Sequence, residues 1–402
     1  MTNQSQLVFD PYSDEFFANP HAIYRRMRSE APVYHHEELD FYALTRYEDV
    51  AAAYRDFQTY SSAGGLDLAM MKSGQPPPKA ILYLDPPEHG RMRSLVNKAF
   101  TPRAIESQRE TIIGQVQQCL NRVDPGRFDV VQDFSGIFPG EVICRMVGIP
   151  ADFRPQFREC VEEALHYQPG QSEPNETTVT MLLNAAAYCY NLVQERRKQA
   201  QDDMISRLIA AEIERESGGT TSLEDDEITF FAMLVGGAGT ETVTKLVANA
   251  VAAFARHPDQ WRKLLDDRTK IPAAVEEVMR YDSPVLYTLR QTTKEVTVQG
   301  IMIPAGKPVL LCGVAANRDP EVFPDPDTFD IDRDHTRAQH LTLGYGVHSC
   351  LGAALGRMET AIALEHLLDF MPRYEVIWDE CQRVNASTVA GWSQLPVKVQ
   401  RS

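Results

Sequence analysis

Long apolar runs are missing from this chain. The longest, Phe230 to Gly239, stops after ten residues at the polar pair Thr240-Glu241. A helix needs about twenty apolar residues to cross a bilayer, so no membrane span is expected. The opening residues, Met1 to Gln6, have neither the basic start nor the apolar stretch of a secretory signal, and a cytoplasmic protein is expected. Paired cysteines are missing too. The seven cysteines (119, 144, 160, 189, 312, 350 and 381) are scattered with no Cys-x-x-Cys pair. That spacing disfavours a local zinc site and leaves six of them as reduced, buried thiols. Positive charge is scarce: 40 Lys and Arg against 56 Asp and Glu give a net charge of −16. Nucleic-acid binding is thereby disfavoured, and any basic docking patch must be local. Internal repeats and low-complexity tracts are absent. At 402 residues, one large domain or two closely packed ones are both allowed.

What is present is a set of glycines around one cysteine. Leu343-Gly344-Tyr345-Gly346-Val347-His348-Ser349-Cys350-Leu351-Gly352 leads into apolar positions at Leu355, Met358, Ile362, Leu364 and Leu367. Their spacing predicts an amphipathic helix from Ala353 to just before Pro372. Cys350 then sits at a helix start, where unsatisfied N–H groups and the helix dipole favour a thiolate. The glycines let the backbone bend sharply and let a broad, flat group approach. Without ligand partners at short spacing, the lone thiolate suggests an axial ligand to haem iron. A buried free cysteine is the competing reading.

A second stretch stands out in the middle of the chain. The acidic cap Ser222 to Glu227 opens a helix that meets no proline until His257-Pro258, long enough to span a domain. Its centre reads Gly236-Gly237-Ala238-Gly239-Thr240-Glu241-Thr242. Each interior glycine costs on the order of 1 kcal/mol relative to alanine. Either the helix opens beside a flat ligand with a threonine hydroxyl turned inward, or the glycines permit close helix packing. Glu277 and Arg280, three residues apart, can pair on one helix face.

Around these lie expected helices at Ile23 to Glu30, Asp49 to Phe57, Ala104 to Arg122, Gly136 to Val147, Ala151 to Ala164 and Val179 to Lys198. Another should run from Asp203 to about Glu216. Strands are expected at Val33 to His35, Phe41 to Leu44, Val296 to Val298, Ile301 to Ile303 and Val309 to Leu311. Residues 61–84 read as a long irregular lid, and Gln168 to Pro174 as a loop able to open and close.

Together these stretches resemble the cytochrome P450 superfamily. The string ending at Gly352 is similar to its haem-binding loop, aromatic-Gly-x-Gly-x-His-x-Cys-x-Gly, with Leu343 in place of the usual Phe. An apolar wall beside the sulfur is kept and the ring is lost. Ala238-Gly239-Thr240-Glu241-Thr242 resembles the oxygen-activation motif. Glu277-x-x-Arg280, with Arg333 in the later Asp/Pro-rich coil, resembles the superfamily's Glu-x-x-Arg and its third member, assigned to fold locking. The motifs occur in order from Asp85 to Gly352, so the resemblance covers nearly the whole chain.

The resemblance implies one domain over residues 1–402, mainly α with a minor β region. β-rich parts are expected near 30–60, 285–340 and 374–400, and a helical body near 85–284 and 350–371. Haem b (iron protoporphyrin IX) would lie between the long central helix and the helix after the cysteine loop, with Cys350 on the metal and Leu343, Gly344, Gly352, Ala238 and Gly239 against the ring. His89, Arg93, Arg290 and His348 would hold the propionates. Thr242 would offer its hydroxyl to bound oxygen, and Glu241 would relay protons from solvent. The substrate pocket would draw on residues 61–84 and 166–184, Leu234, Gly237, Ala238, Leu286 to Leu289, and Thr388 to Ala390 including Val389. Gly237 would leave room above the iron.

The implied activity is O2-dependent hydroxylation or epoxidation of a small to medium hydrophobic molecule such as a steroid, terpenoid, fatty acid or polyketide. With no flavin or iron–sulfur segment unassigned, electrons would come from a ferredoxin and its NAD(P)H-dependent reductase. Arg91, Arg93, Lys98, Arg103 and Arg357 form a candidate basic docking face. A monomer that binds neither nucleic acid nor membrane is expected. Two alternatives stay open: a peroxide-driven haem-thiolate oxygenase, which the Glu241-Thr242 pair counts against, and a non-catalytic haem-binding sensor.

Overall fold

The structure, a computed structural model, describes residues 7–74, 77–165, 175–214, 220–384 and 388–400. The 166–174 stretch, including all of the second expected loop, lies outside the described residues. Seven helices frame the site: α1 (Glu88–Val96), α2 (Phe138–Val147), α3 (Arg154–Leu165), α4 (Glu176–Lys198), α5 (Asp225–Arg256), α6 (Ile271–Tyr281) and α7 (Ala353–Phe370).

Helix α5 is the axis of the body. A reciprocal cap starts it, the Glu224 side chain accepting from the backbone at Glu227 while the Glu227 side chain accepts from the backbone at Glu224. Acidic Asp225, Asp226 and Glu227 complement the positive end of its dipole. Its C-terminal turns, Leu246 to Phe254, are buried and apolar except for Asn249, as a helix enclosed by others must be. Ile143 of α2, Val247 and Phe254 of α5, Val278 of α6 and Leu364 of α7 belong to one continuous core.

A five-stranded sheet carries the rest: β1 (Val33–His36), β2 (Phe41–Leu44), β3 (Tyr60–Ser61), β4 (Thr288–Thr292) and β5 (Pro308–Leu311), in the order β1-β2-β5-β4-β3. β5 runs parallel to β2, with Val309 opposite Tyr42, and antiparallel to β4, with Val309 opposite Arg290. Alternate β5 side chains enter different cores. Leu310 joins Phe9, Phe16, Tyr24 and Phe41, while Val309 and Leu311 join Leu44 and Tyr54. A smaller sheet pairs Pro396–Val399 with Arg127–Asp129 and Tyr374–Val376.

Several expectations need correction. The helix after Asp203 ends at Ile209, and Glu212–Glu214 pairs instead with Thr220–Ser222 as antiparallel strands. Alternating Glu-Ile-Glu against β-branched threonines suits a period of two better than a helix. The expected helix from Ala104 to Arg122 breaks near Ser107, whose hydroxyl donates to the Ala104 carbonyl at 2.7 Å. Residues 61–84 hold a short helix, Leu68–Ser73, capped by Asp67 and ended by left-handed Gly74. Strands within 285–340 stop at Leu311, and the coil beyond is held by side chains. Among the described residues no helix is long and apolar enough to cross a membrane.

Candidate active site

The cysteine loop owes its shape to backbone bonds and two left-handed glycines. Gly344 N–H donates to Leu341 O at 3.0 Å, Ser349 N–H to Gly346 O at 3.1 Å, and Cys350 N–H to Leu343 O at 2.8 Å. Gly344 and Gly346 have φ of 67° and 74°. A Cβ on Gly346 would stand 2.8 Å from the Tyr54 carbonyl, so glycine is required there on two counts. Gly352, at the N-cap of α7, faces open space, and Leu343 packs against the main core. Five of the other six cysteines are buried and Cys381 is half-buried, all free.

Cys350 alone among the cysteines is exposed. Desolvation by the surrounding protein nevertheless pushes its thiol pKa up. The Gly352 N–H and the cations Arg93 and Arg357 pull it down. The net direction is opposite to that expected from the helix start alone. Coordination to a metal would deprotonate the thiol outright.

Beside the sulfur stands an unbalanced cluster of basic groups. His89 and Arg93 lie one turn apart on α1, Arg290 comes from β4, and His348 from the cysteine loop. The His89 and His348 rings are 4.1 Å apart. His348 Nε2 lies 3.2 Å from Ser62 Oγ and 4.0 Å from Asp85 Oδ1. Burial, then Arg290, His89 and Arg93, take His348 down to about 3. Burial and Arg93 also lower His89, whose Nε2 has no hydrogen-bond partner. Arg290 is 7% exposed and donates to the Leu289 carbonyl, with no carboxylate in ion-pair reach among the described residues. A buried guanidinium without a counter-charge and a buried imidazole nitrogen without a partner are costly, so Arg290 and His89, with Arg93 and His348 beside them, fit a dianionic group such as the two haem propionates.

The central helix presents one open stripe. Leu234 and Thr242 are half-buried and Ala238 between them is exposed, at four-residue spacing. Thr242 Oγ1 donates to the Ala238 carbonyl at 2.7 Å. The glycines here serve close packing. A Cβ on Gly236 would lie 2.7 Å from the Phe157 ring, and one on Gly239 would lie 2.6 Å from Ile143 Cγ1. A Cβ on Gly237 would make ordinary van der Waals contact with Val161 of α3 at 3.5 Å, so this glycine, unlike its neighbours, is not required by packing. Glu241 is turned away from the open stripe and pairs with Lys245, Nζ to Oε1 at 2.9 Å.

The fold-locking trio comes together. Glu277 and Arg280, both fully buried, form a two-pronged pair at 2.7 and 2.8 Å, and Arg333 Nε reaches Glu277 at 3.3 Å. Arg280 also donates to the carbonyls of Asn317, Pro326 and Thr328. The Asn317 side chain then accepts from Leu341 N–H at 2.6 Å and donates to Thr342 Oγ1 at 2.9 Å. A chain of bonds thus runs from α6 to the base of the cysteine loop.

Other expected positions fare differently. Leu286 and Leu289 are buried in the core with Phe9 and Tyr24 and are not open to the cleft. Val389 bridges to Val285 and is also buried. Arg357 is held by Glu276 at 2.6 and 2.9 Å, with His340 at 3.1 Å from the same carboxylate, which removes it from a free docking face. Lys98 and Arg103 are exposed. Sequence reasoning passed over Lys245, Asn317 and Glu276. The i, i+4 spacing from Glu241 is the one signal that could have revealed Lys245.

An exposed cysteine at a helix start, in a glycine-shaped loop and beside a basic cluster, together with a long helix that carries an open stripe, fits a haem-thiolate protein. The chain belongs to the cytochrome P450 family. The family's sequence profile, Cytochrome P450, matches residues 174–383. "Putative cytochrome P450 123" of Mycobacterium bovis is 37% identical, with 98% of each chain covered. "Vitamin D(3) 25-hydroxylase" of Pseudonocardia autotrophica is 34% identical, with 96% of each covered. Among solved structures, a mutant of P450 EryK in complex with erythromycin B superposes with a TM-score of 0.88 at 32% identity, covering 97% of this chain and 98% of that one. The protein is a cytochrome P450 monooxygenase, which uses haem, O2 and redox partners on hydrophobic substrates.

Proposed function

We propose that this enzyme hydroxylates or epoxidises a bulky hydrophobic molecule of the steroid, terpenoid or polyketide kind, with fatty acids as the runner-up class. Haem b, held by Cys350 with His89, Arg93, Arg290 and His348 at its propionates, would supply oxygen activation, helped by electron donation from the sulfur. The observation that carries the reading is the exposed Cys350 thiol beside a basic cluster in which buried Arg290 has no carboxylate in ion-pair reach among the described residues and His89 Nε2 has no hydrogen-bond partner. A relative named for vitamin D(3) hydroxylation and a structural neighbour that binds erythromycin B support a bulky substrate.

Leu234, Ala238 and Thr242 would line the floor of the pocket. Thr242 would hold a hydroxyl at the oxygen-binding position, free to leave the Ala238 carbonyl. Glu241 would carry protons from solvent, one per delivery. The acid–alcohol pair supports O2 and external electrons over peroxide as the oxidant.

A ferredoxin and its NAD(P)H-dependent reductase would deliver the electrons to a cytoplasmic monomer, with Lys98 and Arg103 on the docking face. Two measurements test the proposal. Screening steroids, terpenoids, polyketides and fatty acids for a low- to high-spin shift of the ferric haem should give hits among bulky polycyclic or macrocyclic compounds. Turnover of those hits with NAD(P)H, reductase and ferredoxin should exceed turnover with peroxide. Peroxide-only turnover, or hits confined to slender chains, would overturn the reading.

A further inference from the structure

Glu241 and Lys245 stand one turn apart on α5, with side chains 7% and 2% exposed and Nζ 2.9 Å from Oε1. The contact is one of charge without hydrogen-bond alignment, since Glu241 Oε1 has no hydrogen-bond partner. Two buried charges persist only where each neutralises the other. A buried carboxylate left alone takes up a proton instead.

The surroundings fix the lysine and offer no substitute. A Cβ on Gly391 would stand 2.8 Å from Lys245 Cβ and 3.0 Å from its Cγ and Cδ, so the stem lies flat against that turn. The turn is itself anchored, Ala390 N–H donating to Pro284 O at 2.7 Å. Facing this part of α5, α2 presents Gly140 to Thr240, α3 presents Phe157 and Val161 to the glycines, and α7 presents Gly356 to Val243. Of the charged residues of α6, Glu277 and Arg280 pair with each other and Glu276 is held by Arg357 and His340, and α7 carries the buried acid Glu359. One turn beyond Lys245, Asn249 donates to Asp282 O. Among the described residues Lys245 is the cation in ion-pair reach of Glu241.

We infer that Lys245 is a positioning residue that holds Glu241 ionised and turned along the helix, so that the acid must be loaded from solvent for each proton it delivers. The inference rests on the reading of Glu241 as the proton carrier. In each cycle the carboxylate takes one proton from the solvent side, passes one on toward Thr242, and returns to its pairing. The Lys245 ammonium stays protonated throughout.

The test uses the haem-loaded ferric protein and infrared difference spectra, each protein minus its Glu241→Gln counterpart, across pH. Wild type should show no protonated-carboxyl band from Glu241 at neutral pH. Lys245→Met should show one that persists to higher pH than in wild type, as expected for loss of an adjacent opposite charge. Lys245→Arg should restore the wild-type spectrum. Lys245→Gln keeps a donor without charge and carries the same test if the methionine variant fails to load haem. A Glu241 carboxyl band in wild type at neutral pH, or its absence from both uncharged variants, overturns the inference. Peroxide released per electron consumed separates the two claims. If Glu241→Gln leaves it unchanged, Glu241 is not the proton carrier. If Glu241→Gln raises it while the Lys245 variants keep the wild-type spectrum and pH profile, the role of Lys245 alone fails.

Discussion

Arg280 illustrates how one buried side chain holds a reaction site it does not touch. It balances Glu277 and closes three backbone carbonyls, and through Asn317 it reaches Leu341 and Thr342. Arg280→Met leaves buried Glu277 with only the longer contact to Arg333 and strips three carbonyls of their donor, which costs about 3–5 kcal/mol. Urea denaturation should show that loss, with haem retention falling in parallel; a variant of unchanged stability would contradict the account. Glu276 makes a second prediction. Burial alone would raise its pKa, but hydrogen bonds from Arg357 and His340 hold it at about 2, below the usual 4.5. Between those values the unfolded chain binds more protons than the folded one. Stability is therefore complete above about pH 4.5 and falls as pH drops toward 2, by on the order of 2 kcal/mol from this group. Glu276→Gln should flatten that limb of the pH–stability curve, and an unchanged limb would count against it.

The helices and loops repeat the lesson that a glycine's meaning depends on its neighbour. In α5, Gly239 abuts Ile143 at Cγ1 and Cβ, atoms too near the backbone to rotate away. Gly239→Ala gains about 1 kcal/mol of helix propensity but incurs overpacking of roughly 1–3 kcal/mol, so thermal unfolding should show a net loss. Gly114 lies inside the helix Arg109–Leu120 with nothing within 4 Å of a Cβ. Gly114→Ala should stabilise by about 0.5–1 kcal/mol. The reverse order of the two variants would contradict this packing argument. The sequence could not choose between ligand room and helix packing at residues 236–239, because the deciding atoms, Phe157 and Ile143, lie about 80 to 100 positions earlier. Local signals did better: the Glu224–Glu227 cap, the proline-free run of α5, and the helix after Gly352 were all legible. The strand pair after Ile209 was not, since Met204 to Ile209 carries helical periodicity up to the point where the alternation changes.

For the molecule as a whole, the cysteine loop, the acid–alcohol pair and Glu277 with Arg280 could be read directly, since each is a short string. Long-range pairings such as Arg357 with Glu276 could not, and they reshape the charge map. With Arg357 neutralised and Arg93 turned toward the thiol, Lys98 and Arg103 are left as exposed cations of the proposed docking face. Reversing both charges should slow reduction by ferredoxin at low ionic strength, with the difference shrinking as salt screens it. Stopped-flow reduction rates that do not depend on these residues at any salt would remove them from the interface. Everything else depends on the bond between Cys350 and haem iron. Absorption of the reduced carbon monoxide adduct tests it most directly. The account predicts the long-wavelength band of a thiolate-bound haem in the wild-type protein and its loss in Cys350→His; the band of a histidine-bound haem in wild type would contradict it.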